Sequence, residues 1–220
     1  MINQRVVSIG YNSFLKDDFM ILYSDSEIVV CIKEKGVLSQ QGKPGQKSMI
    51  DILSTECVCG IYPVHRLDKE VSGVMVYAKT QKAAANLSAQ VSSREMEKHY
   101  LATTEKSDLP SEGTMEDLLY FDKGKNKSFV VKRERRGVKK AVLEYRQVST
   151  DGERTVYRVR LLTGRTHQIR VQFASRKHPL VGDRKYGSPL QCDIGLVSCF
   201  IAFKHPSTGE WLEFSHPDYN

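Results

Sequence analysis

Residues 65–79 read HRLDKEVSGVMVYAK, a polar segment that runs directly into an apolar one. The apolar part, residues 74–79, has the β-branched and aromatic composition of a buried strand. The polar part predicts a loop in which Asp68 lies close to Arg66. Because a nearby cation keeps a carboxylate ionised at neutral pH, Asp68 is a candidate nucleophile or general base.

Outward from this segment, hydrophobic patterning predicts further elements. Residues 19–23 and 27–33 have the pattern of two strands, and residues 46–55 that of a helix. Thr80 is placed to cap a helix over 81–94, and residues 99–104 predict another strand. Residues 141–149 and 154–162 flank Asp151-Gly152, a pair typical of a tight hairpin. Thr163 is placed to cap a helix over 165–175, and short strands follow over 197–203 and 211–214.

The order of these elements predicts the fold class. Strands outnumber helices, and hairpins outnumber alternating β-α-β units, which is typical of an α+β fold with a mainly antiparallel, mixed sheet and flanking helices and loops. We expect residues 1–18 to be a short N-terminal extension and residues 19–220 to form a single catalytic domain.

Composition narrows the class of function. The 220 residues are 40% hydrophobic and 27% charged, as in soluble globular proteins, and 33 Lys and Arg outweigh 26 Asp and Glu. This excess favours a polyanionic partner, with nucleic acid ahead of a membrane surface. No apolar run approaches the roughly 20 residues that span a bilayer, and no signal peptide is evident. The five cysteines lack zinc-ligand spacing, so we expect reduced thiols, no metal and a cytoplasmic location.

The longest basic stretch, residues 123–140, holds nine cations and one acid, Glu134. Such a stretch is either a solvated loop or a contact for several phosphates, and we favour RNA contact. Its cations are Lys123, Lys125, Lys127, Lys132, Arg133, Arg135, Arg136, Lys139 and Lys140.

A second polar cluster, LTGRTHQIRV at residues 162–171, lies in the predicted helix that begins near Arg165. The helical step of about 100° places Arg165 and Gln168 on one side. From there the Arg165 guanidinium either pairs with a buried carboxylate or reaches solvent over its apolar stem, and both alternatives stay open.

These two segments resemble motifs of the RluA-type RNA pseudouridine synthase family. HRLD with Ser72-Gly73 is similar to the family's HRLDxxTSG signature, and residues 162–171 resemble its LxTGRTHQIRVH helix. Four further blocks follow the family order: residues 21–36 resemble ILYEDE…VVNKPAG, 98–102 KxYxA, 179–187 PIxGDxxYG and 205–210 HPxTGE. Departures include Glu70-Val71 for Asp-Thr and Gln172 for His, and they put substrate preference in doubt more than activity.

The resemblance implies isomerisation of uridine to pseudouridine in structured rRNA or tRNA, without metal or organic cofactor. Asp68 matches the catalytic aspartate, which attacks the ribose C1′ or removes a ribose proton after the base flips out. Tyr100 matches the tyrosine that stacks on the uracil and assists proton movement. Arg165 matches the arginine that pairs with the aspartate, and Arg66 matches the residue that fills the gap left by the base.

RNA contact is therefore expected from a defined set of residues, with a stem-loop as partner and a monomeric protein. That set is Arg66, His65, Gln168, Lys132, Arg133, Arg135 and Arg136. His65 and His167 fit structural hydrogen bonding better than acid–base chemistry. A catalytically weak RNA-binding factor is the alternative, although the joint presence of Asp68, Tyr100 and Arg165 argues for an enzyme. A kinase-like HRD reading fails because Leu67 interrupts the triplet.

Overall fold

The computed structural model describes residues 15–16 and 19–219 and confirms the predicted α+β fold. The first of two compact units comprises the described residues up to Lys98 and from Ser198 onward, and the second comprises His99–Val197. The single catalytic domain over residues 19–220 stays a prediction. The predicted extension over residues 1–18 lies outside the described residues except for residues 15–16.

The elements follow one another along the described chain. The strands are β1 (Leu15–Lys16), β2 (Phe19–Ser24), β3 (Ile28–Lys33), β4 (Tyr62–Pro63), β5 (Ser72–Ala78), β6 (Glu97–Glu105), β7 (Glu112–Asp122), β8 (Lys127–Val131), β9 (Val138–Thr150), β10 (Arg154–Leu161), β11 (Leu196–Lys204) and β12 (Trp211–Ser215). The helices are α1 (Met49–Cys57), α2 (Gln81–Ser93) and α3 (Gln168–Ser175), with a 3₁₀ turn at Arg184–Tyr186.

The first unit is a sheet covered by α2. Its strand order is β1-β2-β3-β5-β11, with β4 also on β5 and β12 on β11. Alternate residues of β3 and β5, such as Val30 and Val76, pack in one core with residues of α2, such as Leu87. The predicted cap of α2 is confirmed, since Thr80 Oγ1 accepts the Ala83 N–H at 3.1 Å.

Helix α1 begins later than the residue 46 predicted from the sequence. Its N-cap is Ser48, whose extended backbone and hydroxyl, accepting the Asp51 N–H at 3.3 Å, start the helix at Met49. The helix ends at Cys57, because Val58 takes a left-handed conformation.

The second unit is an antiparallel sheet in the order β6-β10-β9-β7-β8. The predicted hairpin is present, and Asp151 Oδ1 accepts the N–H groups of Glu153 and Arg154 at 2.9 and 2.6 Å. Strands β7 and β8 were not predicted. Because β8 and the start of β9 lie within it, the basic stretch over residues 123–140 is not a continuous loop. It contains a turn, all of β8, a second turn and the start of β9.

The predicted start of α3 at residue 165 is wrong. His167 has a left-handed backbone with φ 54°, and the helix begins at the next residue, Gln168. Thr163 is therefore no helix cap: its hydroxyl donates to Gln168 Oε1 at 2.8 Å. Helix α3 is anchored by a buried pair in which Arg170 Nε and one terminal nitrogen donate to both Asp183 oxygens at 2.7 and 2.8 Å.

A carboxylate network closes the first unit between the β2–β3 turn and the segment after β11. Asp25 Oδ1 accepts the N–H groups of Glu27 and Ile28 at 2.7 and 2.8 Å. Its Oδ2 accepts from the Tyr23 hydroxyl and from His205 Nε2, each at 2.8 Å. His205 Nδ1 accepts backbone N–H bonds from the following turn, so Nε2 carries the proton and donates.

Replacing Asp25 by Asn tests this network. Burial raises the pKa of Asp25, the hydrogen bonds to its oxygens lower it, and the net pKa lies below the ordinary value of 3.8. The carboxylate therefore stabilises the fold above pH 3.8, and this contribution falls as pH drops through the lower folded pKa. We expect Asp25→Asn to cost about 1–3 kcal/mol in urea unfolding at pH 7, because a donor replaces an acceptor. The difference between wild type and variant in the free energy of unfolding should narrow as the pH falls below 3.8. A difference that stays constant would contradict the assignment.

Candidate active site

The candidate catalytic carboxylate, Asp68, lies in the loop between β4 and β5. Exposure alternates along this loop: His65 and Leu67 are buried, Arg66 is exposed and Asp68 is partly exposed. The Asp68 carbonyl accepts the Val71 N–H at 3.1 Å, which makes residues 68–71 a turn. The loop thus presents Arg66 and Asp68 at the surface of the first unit, while the buried His65 and Leu67 anchor it.

A buried serine holds the loop before Asp68. The Ser39 hydroxyl donates to the Leu67 carbonyl at 2.8 Å and accepts the Leu67 N–H at 2.9 Å. The sequence did not identify Ser39, since its partner lies 28 residues away and no short motif links the two.

A buried lysine holds the loop after Asp68. Lys33 ends β3 with no exposed surface, and its Nζ donates to the carbonyls of Glu34 and Val37 at 2.9 Å and of Lys69 at 3.3 Å. Burial lowers the pKa of Lys33 to about 8, although nearby acids that include Asp68 oppose this shift. Lys33 thus adds a positive charge near Asp68 that the sequence analysis, which named Arg66 and Arg165, did not identify.

The passage from the loop into β5 requires glycine at position 73. Gly73 has φ 126°, and a Cβ there would collide with the backbone of Ser198 on β11. The Ser198 hydroxyl donates to the Val74 carbonyl at 3.1 Å, so the two strands stay in close contact at this point.

His65 has a structural position in this unit. Its Nε2 accepts the Val76 N–H at 3.2 Å, so the neutral ring carries its proton on Nδ1. Burial first, and the charge of Lys98 second, lower the pKa of His65 to about 3. The ring therefore stays neutral at physiological pH, and its RNA contact remains a prediction.

The other two candidate catalytic residues belong to the second unit. Tyr100 lies on β6 opposite Val159 of β10, with 6% of its surface exposed. Arg165 lies in the turn before α3, and its Nε donates to the Lys140 carbonyl at 2.9 Å. The pairing of Arg165 with Asp68 and the stacking role of Tyr100 remain predictions.

The Arg165 turn is organised by Gln168. Gln168 Oε1 accepts the Thr163 hydroxyl at 2.8 Å and the Arg165 N–H at 3.0 Å. Its Nε2 donates to the Val142 carbonyl on β9 at 3.1 Å, and the side chain is buried. This internal bonding gives Gln168 a positioning role that the sequence missed, while its RNA contact remains a prediction.

A second set of contacts holds the same turn from β8. The Tyr186 hydroxyl accepts the Ser128 N–H at 2.8 Å and is hydrogen-bonded to His167 Nδ1 at 2.9 Å. The Ser128 hydroxyl in turn donates to the Thr166 carbonyl at 2.5 Å. The turn that carries Arg165 is thus fixed on both flanks by buried side chains.

Four of the predicted RNA-contact cations share one exposed turn between β8 and β9, whereas Arg66 lies in the Asp68 loop. Arg135 also lies over the Tyr120 ring, 4.8 Å from its centroid, so this guanidinium is already partly engaged. The four cations are Lys132, Arg133, Arg135 and Arg136.

Two further findings concern residues 15–16 and 19–219. In that part of the chain no group of three or more His, Cys, Asp and Glu side chains is arranged to hold a metal ion. None of the helices described there has the length and apolar character needed to cross a membrane.

Known proteins resemble this chain over most of its length. The RNA pseudouridylate synthase family model matches residues 27–175. Ribosomal large subunit pseudouridine synthase D of Xylella fastidiosa is 37% identical over 90% of this chain, which spans only 62% of that relative's length. Dual-specificity RNA pseudouridine synthase RluA of Salmonella typhimurium is 33% identical over 94% of this chain and 97% of its own length.

A solved structure agrees with the fold. Human RNA Pseudouridylate Synthase Domain Containing 4 superposes with a TM-score of 0.74 over 89% of this chain and 87% of its own, at 24% sequence identity. At this identity the likeness concerns the fold.

The buried ammonium of Lys33 predicts a pH dependence of stability. Its folded pKa of about 8 lies below the ordinary value of 10.5, so the unfolded chain holds more protons between these pH values. The Lys33 contribution to the free energy of unfolding should therefore rise with pH across this window. We measure the free energy of unfolding in urea for wild type and Lys33→Met from pH 7 to 10.5. We expect the stability of wild type relative to the variant to increase with pH across this range. A difference that is flat or shrinks would contradict the lowered pKa.

Proposed function

Because the chain belongs to the RNA pseudouridylate synthase family, we propose that it isomerises specific uridines of RNA to pseudouridine. The observation that carries the proposal is the Asp68 loop, which lies within the matched segment and presents a partly exposed carboxylate between two anchored flanks. A nucleophile or base needs this combination of access and fixed direction.

The proposed reaction conserves the atoms of the nucleotide apart from proton exchange with water. The bond between N1 of uracil and the ribose C1′ breaks, a bond between C5 and C1′ forms, the proton on C5 leaves, and N1 gains one. Asp68 either attacks C1′ or removes a ribose proton to start this sequence. Tyr100 stacks on the uracil and assists the proton movement, and Arg165 pairs with the Asp68 carboxylate.

The target base must leave its helix before it reacts, which costs a few kcal/mol of unstacking. Arg66 supports this step because it is exposed while His65 and Leu67 on either side are buried. Its guanidinium fills the space that the flipped base leaves and so offsets part of the cost.

The proposed substrate is a structured segment of rRNA or tRNA, bound as a stem-loop by a monomer in the cytoplasm. The Xylella relative is named for the ribosomal large subunit, which supports rRNA as a candidate substrate. The net charge of +7 and the exposed basic turn between β8 and β9 suit a phosphate backbone.

Asp68→Asn tests the chemistry. We expect pseudouridine formation in total cellular RNA to fall about 10²- to 10⁴-fold, because the amide is neither nucleophile nor base at neutral pH. Glu70→Gln is the matched control, since it neutralises an exposed carboxylate two residues away and should keep activity. Pseudouridine is mapped in RNA incubated with each protein. If wild type leaves pseudouridine at background level, the enzyme hypothesis fails. Salt-sensitive retention of RNA without pseudouridine formation would then indicate an RNA-binding factor.

The basic turn predicts a specific salt dependence. Replacing Arg133 and Arg136 by Gln removes two exposed charges and leaves the Arg135–Tyr120 contact intact. We expect weaker binding of the modified RNA and a slope of log K against log salt that is smaller by about one to two.

The matched control for this double variant replaces Lys82 and Arg154 by Gln, which removes the same charge from exposed sites elsewhere. Binding is measured by filter retention at several salt concentrations. Equal losses in the two double variants would show that only net charge matters and would refute a dedicated contact at the turn.

A further inference from the structure

We infer that Ser39 is the positioning residue that sets the direction of the Asp68 carboxylate. This inference rests on the proposed function, because it concerns how Asp68 is aimed. Ser39 lies outside every motif that connects this chain with pseudouridine synthases, and it sits in the segment between β3 and α1.

The bonds of Ser39 act on the backbone that leads into Asp68. The Leu67 carbonyl that accepts the Ser39 hydroxyl belongs to the planar peptide unit joining Leu67 to Asp68. The Asp68 carbonyl, in the next peptide unit, accepts the Val71 N–H. Since both peptide planes around Asp68 are held, its φ and ψ are fixed, and with them the direction of its Cα–Cβ bond.

Ser39 is itself held on a rigid base. Its carbonyl accepts the hydroxyl of Tyr77, a fully buried residue of β5, at 2.8 Å. The preceding residue, Leu38, donates its N–H to the Lys47 carbonyl at 3.1 Å and accepts the Met49 N–H at 2.8 Å. The position of the hydroxyl is therefore defined by β5 and by the start of α1.

Burial excludes a direct role for Ser39 on RNA. Its surface is 4% exposed, and its single hydroxyl proton is used by the Leu67 carbonyl. Removing the hydroxyl leaves the N–H and the carbonyl of Leu67 without their described partner, so this peptide unit gains freedom to rotate. A misplacement of about 1 Å in a reacting group can cost about 10²-fold in rate.

The test compares Ser39→Ala with two other variants. Thr80→Ala removes the cap of α2 in the same unit and costs about 1 kcal/mol without touching the loop. Ser39→Thr retains the hydroxyl. The substrate is total RNA labelled with uridine tritiated at C5, taken from cells that lack this protein, and tritium release gives kcat and KM.

We expect Ser39→Ala to lower kcat about 10-fold or more while KM stays within about twofold of wild type. Thr80→Ala should lose similar thermal stability and keep its kcat, and Ser39→Thr should regain most of the rate. An unchanged kcat in Ser39→Ala, or a loss no larger than that of Thr80→Ala, overturns the inference while the proposed function stands. A wild-type protein that releases no tritium overturns the proposed function and this inference with it.

Discussion

The need to satisfy buried peptide groups outside the strand ladders shapes the candidate active site. The loop between β4 and β5 lies outside the strand ladders, and side chains supply part of its hydrogen bonds beside the backbone bonds from Gly36 N–H to the Lys69 carbonyl and from Val71 N–H to the Asp68 carbonyl. The Ser39 hydroxyl donates to the Leu67 carbonyl, the Lys33 ammonium donates to the Lys69 carbonyl, and His65 Nε2 accepts the Val76 N–H of β5. These bonds hold the loop in place while Asp68 stays partly exposed.

In the second unit, too, buried polar side chains bond to backbone groups that lie outside the strand ladders. The turn before α3 has no ladder partner, and the amide of Gln168 joins it to β9 while Ser128 joins it to β8. In both units the residue proposed for chemistry stands on an irregular segment, and buried polar side chains supply its rigidity. The burial of Lys33 shows the cost of this arrangement, because its lowered pKa marks a charge held out of water.

Local patterns predicted much of this architecture and its candidate residues. Helix α2 and the hairpin at Asp151 depend on neighbours in sequence, so their caps and turn residues identify them. Strands β7 and β8 were not predicted, because exposed lysines and acidic residues obscure the alternation of apolar and polar residues along them. The start of α3 was misplaced because the left-handed backbone of His167 is stabilised by Tyr186, which no local pattern shows. The Ser39–Leu67 bonds were beyond sequence reasoning for the same reason.

Three carboxylates in the motif-like segments, those of Asp25, Asp68 and Asp183, differ in what surrounds them. This difference distinguishes the residues that hold the fold from the residue proposed for chemistry. Asp183 is buried against Arg170, and Asp25 accepts four hydrogen bonds, three from its own turn and one from the distant His205. Both residues lie in segments that resemble pseudouridine synthase motifs, as Asp68 does, yet their oxygens are committed to holding the fold. Asp68 is partly exposed, and the hydrogen bonds around it fix its backbone. Presence in a motif therefore does not by itself identify a catalytic acid, and the catalytic role of Asp68 remains a proposal.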